Sequence, residues 1–169
     1  IVDRTRRIGG TEYTGVERQE AASRKINAIR DGGYLRLVKN IMFEEGGIGN
    51  CGELSRFAGL YLLGQAVRTV GFASLASPGD HAFIVLGSSR LVKKCTLDPG
   101  VMSSWDCGEV WVCDPWANIA CDATQYSALF EQKCRKWHDD KKKVAYNGRW
   151  IDPSGRYRMS VATNRIKIN

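Results

Sequence analysis

The first third of the chain carries apolar residues at helical spacing. Residues 14–30 have alanines and isoleucines three to four positions apart and begin with Thr14 and Glu17, which have the spacing of a capping box. They therefore predict a helix that ends at the glycine pair near residue 32. A second, shorter helix is predicted over residues 34–43, where large apolar residues again fall on one side.

A longer apolar stretch follows the glycine-rich loop at residues 46–50. From Cys51 to Val70 the apolar side chains fall on nearly every side of a helix, which is typical of a helix buried at the centre of a domain. Gly71 is then predicted to cap this helix. Charged and amide residues interrupt the run, so it does not predict a membrane span.

Two short apolar runs downstream have the composition of strands. Residues 81–86 follow a Ser-Pro-Gly-Asp turn, and residues 109–114 end at an Asp-Pro pair. Between them, residues 90–94 are predicted to return as a partner strand, and residues 95–108 are predicted to form a loop insertion.

The last part of the chain mixes one helix with short strands. Residues 124–137 predict a helix, whereas residues 149–151 and 157–162 predict strands. Residues 165–168 alternate basic and apolar side chains. Helices that are followed by antiparallel strands indicate an α+β fold.

Length and charge narrow the class of protein. A chain of 169 residues predicts a single domain, here residues 14–169, with residues 1–13 as a polar linker or arm. The net charge of +7 favours acidic partners, but no base-reading motif accompanies it, so a specific nucleic-acid site is not predicted. The chain begins without methionine, and we expect a domain cut from a longer protein.

The cysteines and histidines argue against a metal site. The chain has six cysteines but only two histidines and no Cys-x-x-Cys pair, so neither a structural zinc nor another cofactor is predicted. Since a working nucleophilic cysteine must stay free, we expect reduced thiols in a cytosol-like compartment.

Three residues stand in contexts that fit one reaction. Cys51 follows a glycine loop at the predicted start of a helix, His81 opens a strand, and Asp114 ends another. A helix N-terminus and a nearby imidazolium both favour a thiolate, and an aspartate fixes the orientation of a histidine. Each residue alone also has a structural explanation, as core packing, surface or turn. Together they predict a thiol nucleophile, its base and the group that orients the base.

Neighbouring residues are candidates for holding a substrate. The backbone N–H of Cys51 is suited to an oxyanion hole, which needs a second donor. Glycine leaves room for a substrate to approach, and a tryptophan beside the His-Asp contact would shield it from water. The candidates for these roles are Asn50, Gly52, Asn118, Gln125 and Trp116.

Residues 46–118 resemble the core of transglutaminase-like, papain-related thiol enzymes. The run from Gly49 to Leu63 is similar to their nucleophile helix, residues 81–85 to their His-Ala-aromatic strand, and residues 111–115 to their strand that ends in Asp-Pro. The resemblance implies a papain-like α+β core, in which the nucleophile begins a buried central helix packed on an antiparallel sheet. It also implies the same roles for the three residues named above.

Two departures from that family affect the expected reaction. The interval from His81 to Asp114 is longer than the family's short hairpin, and Glu44 and Glu45 lie where papain-type proteases place a glutamine. The chain is more similar to toxin and effector domains that deamidate host proteins, including the papain-like domains of dermonecrotic-type toxins.

We therefore expect a glutamine or asparagine deamidase that acts on a protein with an acidic surface. The resemblance implies a virulence factor that is secreted or injected and works in a target-cell cytosol. A cysteine protease and a transglutaminase are alternatives, because all three reactions share an acyl-thioester. Arylamine acetyl transfer and peptidoglycan hydrolysis use the same triad. A non-catalytic basic binding module, built on Arg156, Arg158, Arg165 and Lys167, is the alternative from another class.

Overall fold

The computed structural model describes residues 7–8, 11–12, 15–30, 49–67, 69–77, 79–87, 95–98, 100–105, 109–146 and 149–169. Within these ranges the fold is α+β, as the sequence predicts, with helices beside an antiparallel sheet. The predicted helix over residues 34–43 and the predicted strand over residues 90–94 lie outside the described residues.

The helices are α1 (Gly15–Arg30), α2 (Cys51–Gly64), α3 (Ala123–Asp139), α4 (Gly155–Arg158) and α5 (Ser160–Thr163), and a 3₁₀ turn covers Val101–Ser104. The strands are β1 (Arg7–Ile8), β2 (Thr11–Glu12), β3 (Val70–Leu75), β4 (Ala82–Gly87), β5 (Cys95–Leu97), β6 (Val110–Asp114), β7 (Ile119–Asp122), β8 (Val144–Tyr146), β9 (Arg149–Ile151) and β10 (Ile166–Ile168). None of the helices in this part of the chain combines the length and the hydropathy that crossing a bilayer requires.

Six strands form one antiparallel sheet in the order β5-β10-β3-β4-β6-β7. Strands β1 and β2 form a hairpin within the segment predicted to be an arm, and β8 and β9 form another. Because side chains alternate between the faces of a strand, Asp114 shares the buried face of β6 with Val110 and Val112. The register of β6 thus carries a carboxylate into the core.

Among the described residues, helix α2 packs one of its faces against β3, β4 and β6. On that face the Ser55 hydroxyl donates to the Ala82 carbonyl oxygen (3.0 Å), and a Cβ at Gly59 would lie 3.1 Å from Ile84 Cδ1. On the other face Leu60, Tyr61 and Leu63 are about half exposed. The prediction of a helix buried on every side is therefore wrong, because the sheet covers a single face.

The same helix also ends earlier than predicted. It stops at Gly64, and Ala66 takes a positive φ of 61°, so the chain leaves the helix before Val70. Residues Val70–Leu75 form strand β3, in which buried and partly buried side chains alternate. An apolar run without charges suits a helix or a strand, and here pairing with β4 and β10 selects the strand.

Helix α3 agrees with its prediction. Asp122 caps it by accepting a hydrogen bond from the Thr124 backbone N–H (2.8 Å). Its buried face consists of residues at helical spacing, namely Ala123, Tyr126, Phe130, Cys134 and Trp137. These side chains, together with those from β4, β6 and β10, form the main core.

Other predictions for the second half of the chain have mixed outcomes. The strand over residues 149–151 is confirmed. The strand predicted over residues 157–162 is wrong, because α4 and α5 cover it and bury Tyr157 and Val161 at helical spacing. The loop predicted over residues 95–108 contains β5 and the 3₁₀ turn, and β5 forms because β10 offers a free edge.

The packing of β10 predicts that substitutions at two adjacent residues have very different effects on the free energy of unfolding. Ile166 is 1% exposed, whereas Lys167 on the opposite face is exposed. We expect Ile166→Ala to lower the free energy of unfolding by roughly 2–5 kcal/mol, because it leaves a cavity between sheet and helices. Lys167→Ala should change it by no more than about 0.5 kcal/mol. Urea denaturation of both variants measures this contrast, and equal effects would contradict the register of β10.

Candidate active site

Cys51 is the first residue of α2, and its side chain is half-buried. Asn50 precedes it in an extended conformation, and its backbone N–H donates to Glu53 Oε2 (3.0 Å). The other oxygen of Glu53 accepts from Arg30 Nε (2.8 Å), at the end of α1. The start of the helix is therefore held from both sides, and its unpaired N–H groups favour a negative charge on the sulfur.

His81 lies directly before β4 and is 3% exposed. Its Nε2 is 2.8 Å from Asp114 Oδ2. Phe83, Trp116 and Phe130 surround the imidazole, with ring centroids 4.9–5.9 Å from its own. This aromatic shell excludes water and keeps the ring in one orientation.

Asp114 ends β6 and is fully buried. Its Oδ1 accepts from the Ala117 backbone N–H (2.9 Å), in the turn that follows the strand. Its Oδ2 accepts from the Tyr126 hydroxyl (2.8 Å) as well as from His81. The Tyr126 oxygen is also 3.1 Å from His81 Nε2, so three side chains meet at one point.

The pKa of His81 reflects these neighbours. Burial by itself lowers it, but the charge and hydrogen bond of Asp114, with a further contribution from Cys51, raise the pKa from 6.5 to about 10. His81 is therefore an imidazolium at neutral pH. Its Nδ1 is buried and makes no hydrogen bond of ordinary geometry within the described residues. Cys51 is close enough to His81 to help raise the pKa of the ring. No other described residue accepts a hydrogen bond from Nδ1, so its proton is available for transfer to a bound molecule.

A cavity of about 460 Å³ joins the cysteine to the histidine. Of the predicted residues, Asn50, Cys51, Gly52, His81 and Trp116 line it, and Asp114 lies behind His81. Other residues on its wall are Arg30, Glu53, Phe72, Ser74, Asp80 and Tyr157. At Gly52 a Cβ would meet no atom within 4 Å, so the space beside Cys51 is open.

The structure separates Asn118 from this group. Asn118 has a positive φ of 58° and lines a different cavity with Ile119 and Lys133. Because of the tight turn after Asp114, Trp116 and Asn118 line different cavities, although they are only two positions apart in the sequence. Gln125 is exposed and does not line the cavity between Cys51 and His81.

Trp116, on the wall of this cavity, has a buried indole Nε1 that lacks a hydrogen-bond partner among the described residues. A buried polar atom without a hydrogen bond costs roughly 1–3 kcal/mol. A ligand that offers an acceptor to Trp116 would recover that cost. The side chains of Asn50 and Glu53 form a capping box at the start of α2.

The remaining described cysteines differ from Cys51 in their surroundings. Cys113, Cys121 and Cys134 form no disulfide. Burial, assisted by nearby carboxylates, raises the pKa of all three, to about 11 for Cys121 and about 12 for Cys134. They remain protonated thiols at neutral pH and are poor nucleophiles.

Tyr126 is the site residue that the sequence analysis missed. The helical pattern assigns it to the buried face of α3, where a tyrosine needs no further explanation. No local signal separates it from a core residue, since its role depends on where β6 and His81 lie. In the described part of the chain, no group of three or more histidine, cysteine, aspartate or glutamate side chains is arranged to hold a metal ion.

Comparisons with protein-family models, with curated proteins and with solved structures found no match to this chain.

The thiol environments predict an order of reactivity. Under native conditions at neutral pH, iodoacetamide should label Cys51 before Cys113, Cys121 or Cys134, because only Cys51 combines a helix N-terminus, an open cavity and an imidazolium. Limited alkylation followed by peptide mapping measures the order. Faster labelling of any of the other three would remove Cys51 from the role of nucleophile.

The raised pKa of His81 predicts how stability changes with pH. Because the folded pKa of about 10 exceeds the unfolded value of 6.5, the folded state holds its proton more tightly. The stability that this provides is fully present below pH 6.5 and is lost as pH rises through about 10. Wild type should therefore lose stability relative to His81→Gln over this range in urea denaturation.

His138→Gln is the matched control, because His138 is half-exposed and pairs with Asp152 at the surface. The difference between wild type and this control should stay nearly flat over the same range. A flat difference for His81→Gln as well would mean that His81 is neutral in the folded protein.

Proposed function

We propose that this chain is a thiol enzyme that acts on protein amides. Cys51 is the nucleophile, His81 the general acid and base, and Asp114 the group that orients His81. The observation that carries the proposal is the buried His81–Asp114 pair. It leaves Nδ1 of the ring without a hydrogen bond of ordinary geometry in the described part of the chain, and Cys51, on the same cavity, is close enough to help raise the pKa of the ring. If Asp114 only stabilised the turn after β6, it would not need a buried histidine beside it, yet His81 is 3% exposed.

The proposed reaction has two steps. Cys51 in its thiolate form attacks the amide carbon, and the imidazolium of His81 gives its Nδ1 proton to the departing ammonia. Neutral His81 then takes a proton from water, which attacks the thioester and releases the acid and Cys51. The hydrogen bond to Asp114 stabilises the imidazolium each time it forms.

The fold supports a papain-like or transglutaminase-like core as part of this proposal. The nucleophile begins a helix that packs on an antiparallel sheet, and the histidine and aspartate come from adjacent strands β4 and β6. Three apolar side chains of α2, Leu60, Tyr61 and Leu63, are about half exposed, so the helix is less enclosed than the resemblance implies.

Two observations favour deamidation among the amide reactions. The Trp116 indole N–H and the Cys51 backbone N–H are candidate donors to the amide oxygen. The glutamine of papain-type proteases is absent before Cys51. Proteolysis and transglutamination remain outcomes of the test.

The alternative of a basic binding module receives less support. Two of its proposed residues are engaged by acidic neighbours, since Arg158 lies 3.7 Å from Glu131 and Arg165 lies 3.2 Å from Asp98. The net charge of +7 instead supports attraction of an acidic protein substrate. As part of the proposal, the enzyme is an effector that works in a target-cell cytosol, where its four described free cysteines would stay reduced.

The proposal predicts a Cys51-dependent change of mass in another protein. Incubation with a cell extract should give a partner with the small mass increase expected when OH replaces an amide NH₂, together with released ammonia and an intact chain. Cys51→Ala should lose this activity completely. Cys113→Ala should keep it, because Cys113 lies on the far face of β6 from Asp114.

Intact-mass spectrometry and an ammonia assay separate the outcomes. Fragments that depend on Cys51 would mean proteolysis, and higher-mass conjugates that need an added amine would mean transglutamination. No Cys51-dependent change in any protein would overturn the proposed function.

A further inference from the structure

The Tyr126 hydroxyl occupies an unusual position between two members of the proposed triad. Tyr126 lies in the first turn of α3 and is completely buried. Its oxygen is 2.8 Å from Asp114 Oδ2 and 3.1 Å from His81 Nε2. Phe83 packs against its ring with centroids 4.7 Å apart, so the ring cannot swing away without disturbing the core.

The direction of these hydrogen bonds follows from the protonation states. Burial and the Asp114 charge raise the pKa of Tyr126 well above its usual range, so the hydroxyl keeps its proton. That one proton is donated to Asp114 Oδ2, and the lone pairs of the hydroxyl face the N–H of His81. The carboxylate then accepts three hydrogen bonds, from Tyr126, His81 and the Ala117 backbone N–H.

We propose that Tyr126 is a positioning residue of this site, which holds the Asp114 carboxylate aligned with His81 Nε2 so that Nδ1 stays directed to the cavity. The inference rests on the proposed function for its catalytic meaning. Its physical content, a tyrosine hydroxyl that controls the His81–Asp114 pair, can be measured without any substrate.

The physical reason is the cost of a buried charge. A carboxylate without exposure to solvent depends on the groups that donate hydrogen bonds to it. Without the Tyr126 hydroxyl, Oδ2 of Asp114 keeps only His81 Nε2 of its two described donors, so the carboxylate is held less firmly against the ring.

A buried tyrosine with a satisfied hydroxyl has an ordinary explanation, in which Tyr126 only fills the core. Tyr126→Phe distinguishes the two, because it removes the oxygen and keeps the ring. Tyr61→Phe is the matched control, since Tyr61 is 58% exposed on the outer face of α2 and lies away from the cavity.

The first measurement is NMR of the His81 imidazole, assigned with His138→Gln because the chain has only two histidines. In wild type the Nε2–H proton should exchange slowly with water, because Asp114 and Tyr126 hold it. In Tyr126→Phe it should exchange several-fold faster, and in Tyr61→Phe its exchange rate should not change. An unchanged exchange rate in Tyr126→Phe overturns the proposal.

The second measurement is the rate at which iodoacetamide labels Cys51. Tyr126→Phe should slow it several-fold in wild type but have no further effect in an Asp114→Asn background, since the hydroxyl acts through that carboxylate. Equal slowing in both backgrounds overturns the proposal and assigns Tyr126 to packing. If wild-type Cys51 is unreactive, the proposed function fails, and the exchange rate of the His81 Nε2–H proton still decides the role of Tyr126.

A third variant covers the case in which Tyr126→Phe does not fold. Difluorotyrosine at position 126 keeps the ring and makes the hydroxyl a stronger donor. The His81 Nε2–H proton should then exchange with water more slowly than in wild type, opposite to Tyr126→Phe. An unchanged exchange rate would contradict the proposal independently of stability.

Discussion

The site depends on one buried carboxylate and on the partners that make its burial possible. An isolated charge in a protein interior is strongly unfavourable, so Asp114 can lie at 0% exposure only where several donors converge on it. Strand β6 supplies the carboxylate, the following turn supplies the Ala117 N–H, α3 supplies Tyr126, and the residue before β4 supplies His81. Four separate parts of the chain are therefore fixed relative to one another by a single side chain.

This convergence also explains the state of the histidine. The aromatic shell around His81 would by itself favour a neutral ring, because it removes water from the charge. The carboxylate outweighs that effect and keeps the ring charged. The same exclusion of water that makes the pair costly to assemble makes its electrostatic interaction strong. Cys51 lies at a helix N-terminus close to this charged imidazole, whereas Cys121 and Cys134 lie buried in the core. The environment of Cys51 therefore differs from that of the core thiols.

The packing of α2 has a comparable logic. Gly59 lets the helix approach Ile84, and the Ser55 hydroxyl reaches the Ala82 carbonyl at the start of β4. These contacts lie one and two turns from Cys51 and next to His81, so they set the distance between helix α2 and strand β4 near these two residues. At the first turn, Glu53 accepts from Asn50 and from Arg30, which ties α1 to the same point.

Local patterns in the sequence were enough to predict the helices and strands that form in the same way whatever packs against them. The spacing of Tyr126, Phe130 and Cys134 specifies α3 in any surroundings, and the turn residues around β4 and β6 place His81 and Asp114 at strand ends. The sequence also allowed three residues of the site to be chosen, because Cys51, His81 and Asp114 each follow or end a predicted element. The fold brings these three residues together.

Only the tertiary structure decided the features that depend on pairing and packing between distant segments. Residues Val70–Leu75 are a strand because β4 and β10 lie beside them, and residues 157–162 are helical because Tyr157 and Val161 meet the core from one side. Asn118 lies apart from Trp116 because a tight turn separates their directions. Tyr126 becomes part of the site because β6 delivers a charge next to it. The physical reason is common to all four, since hydrogen-bond partners and buried charges act through space and leave no periodic trace along the chain.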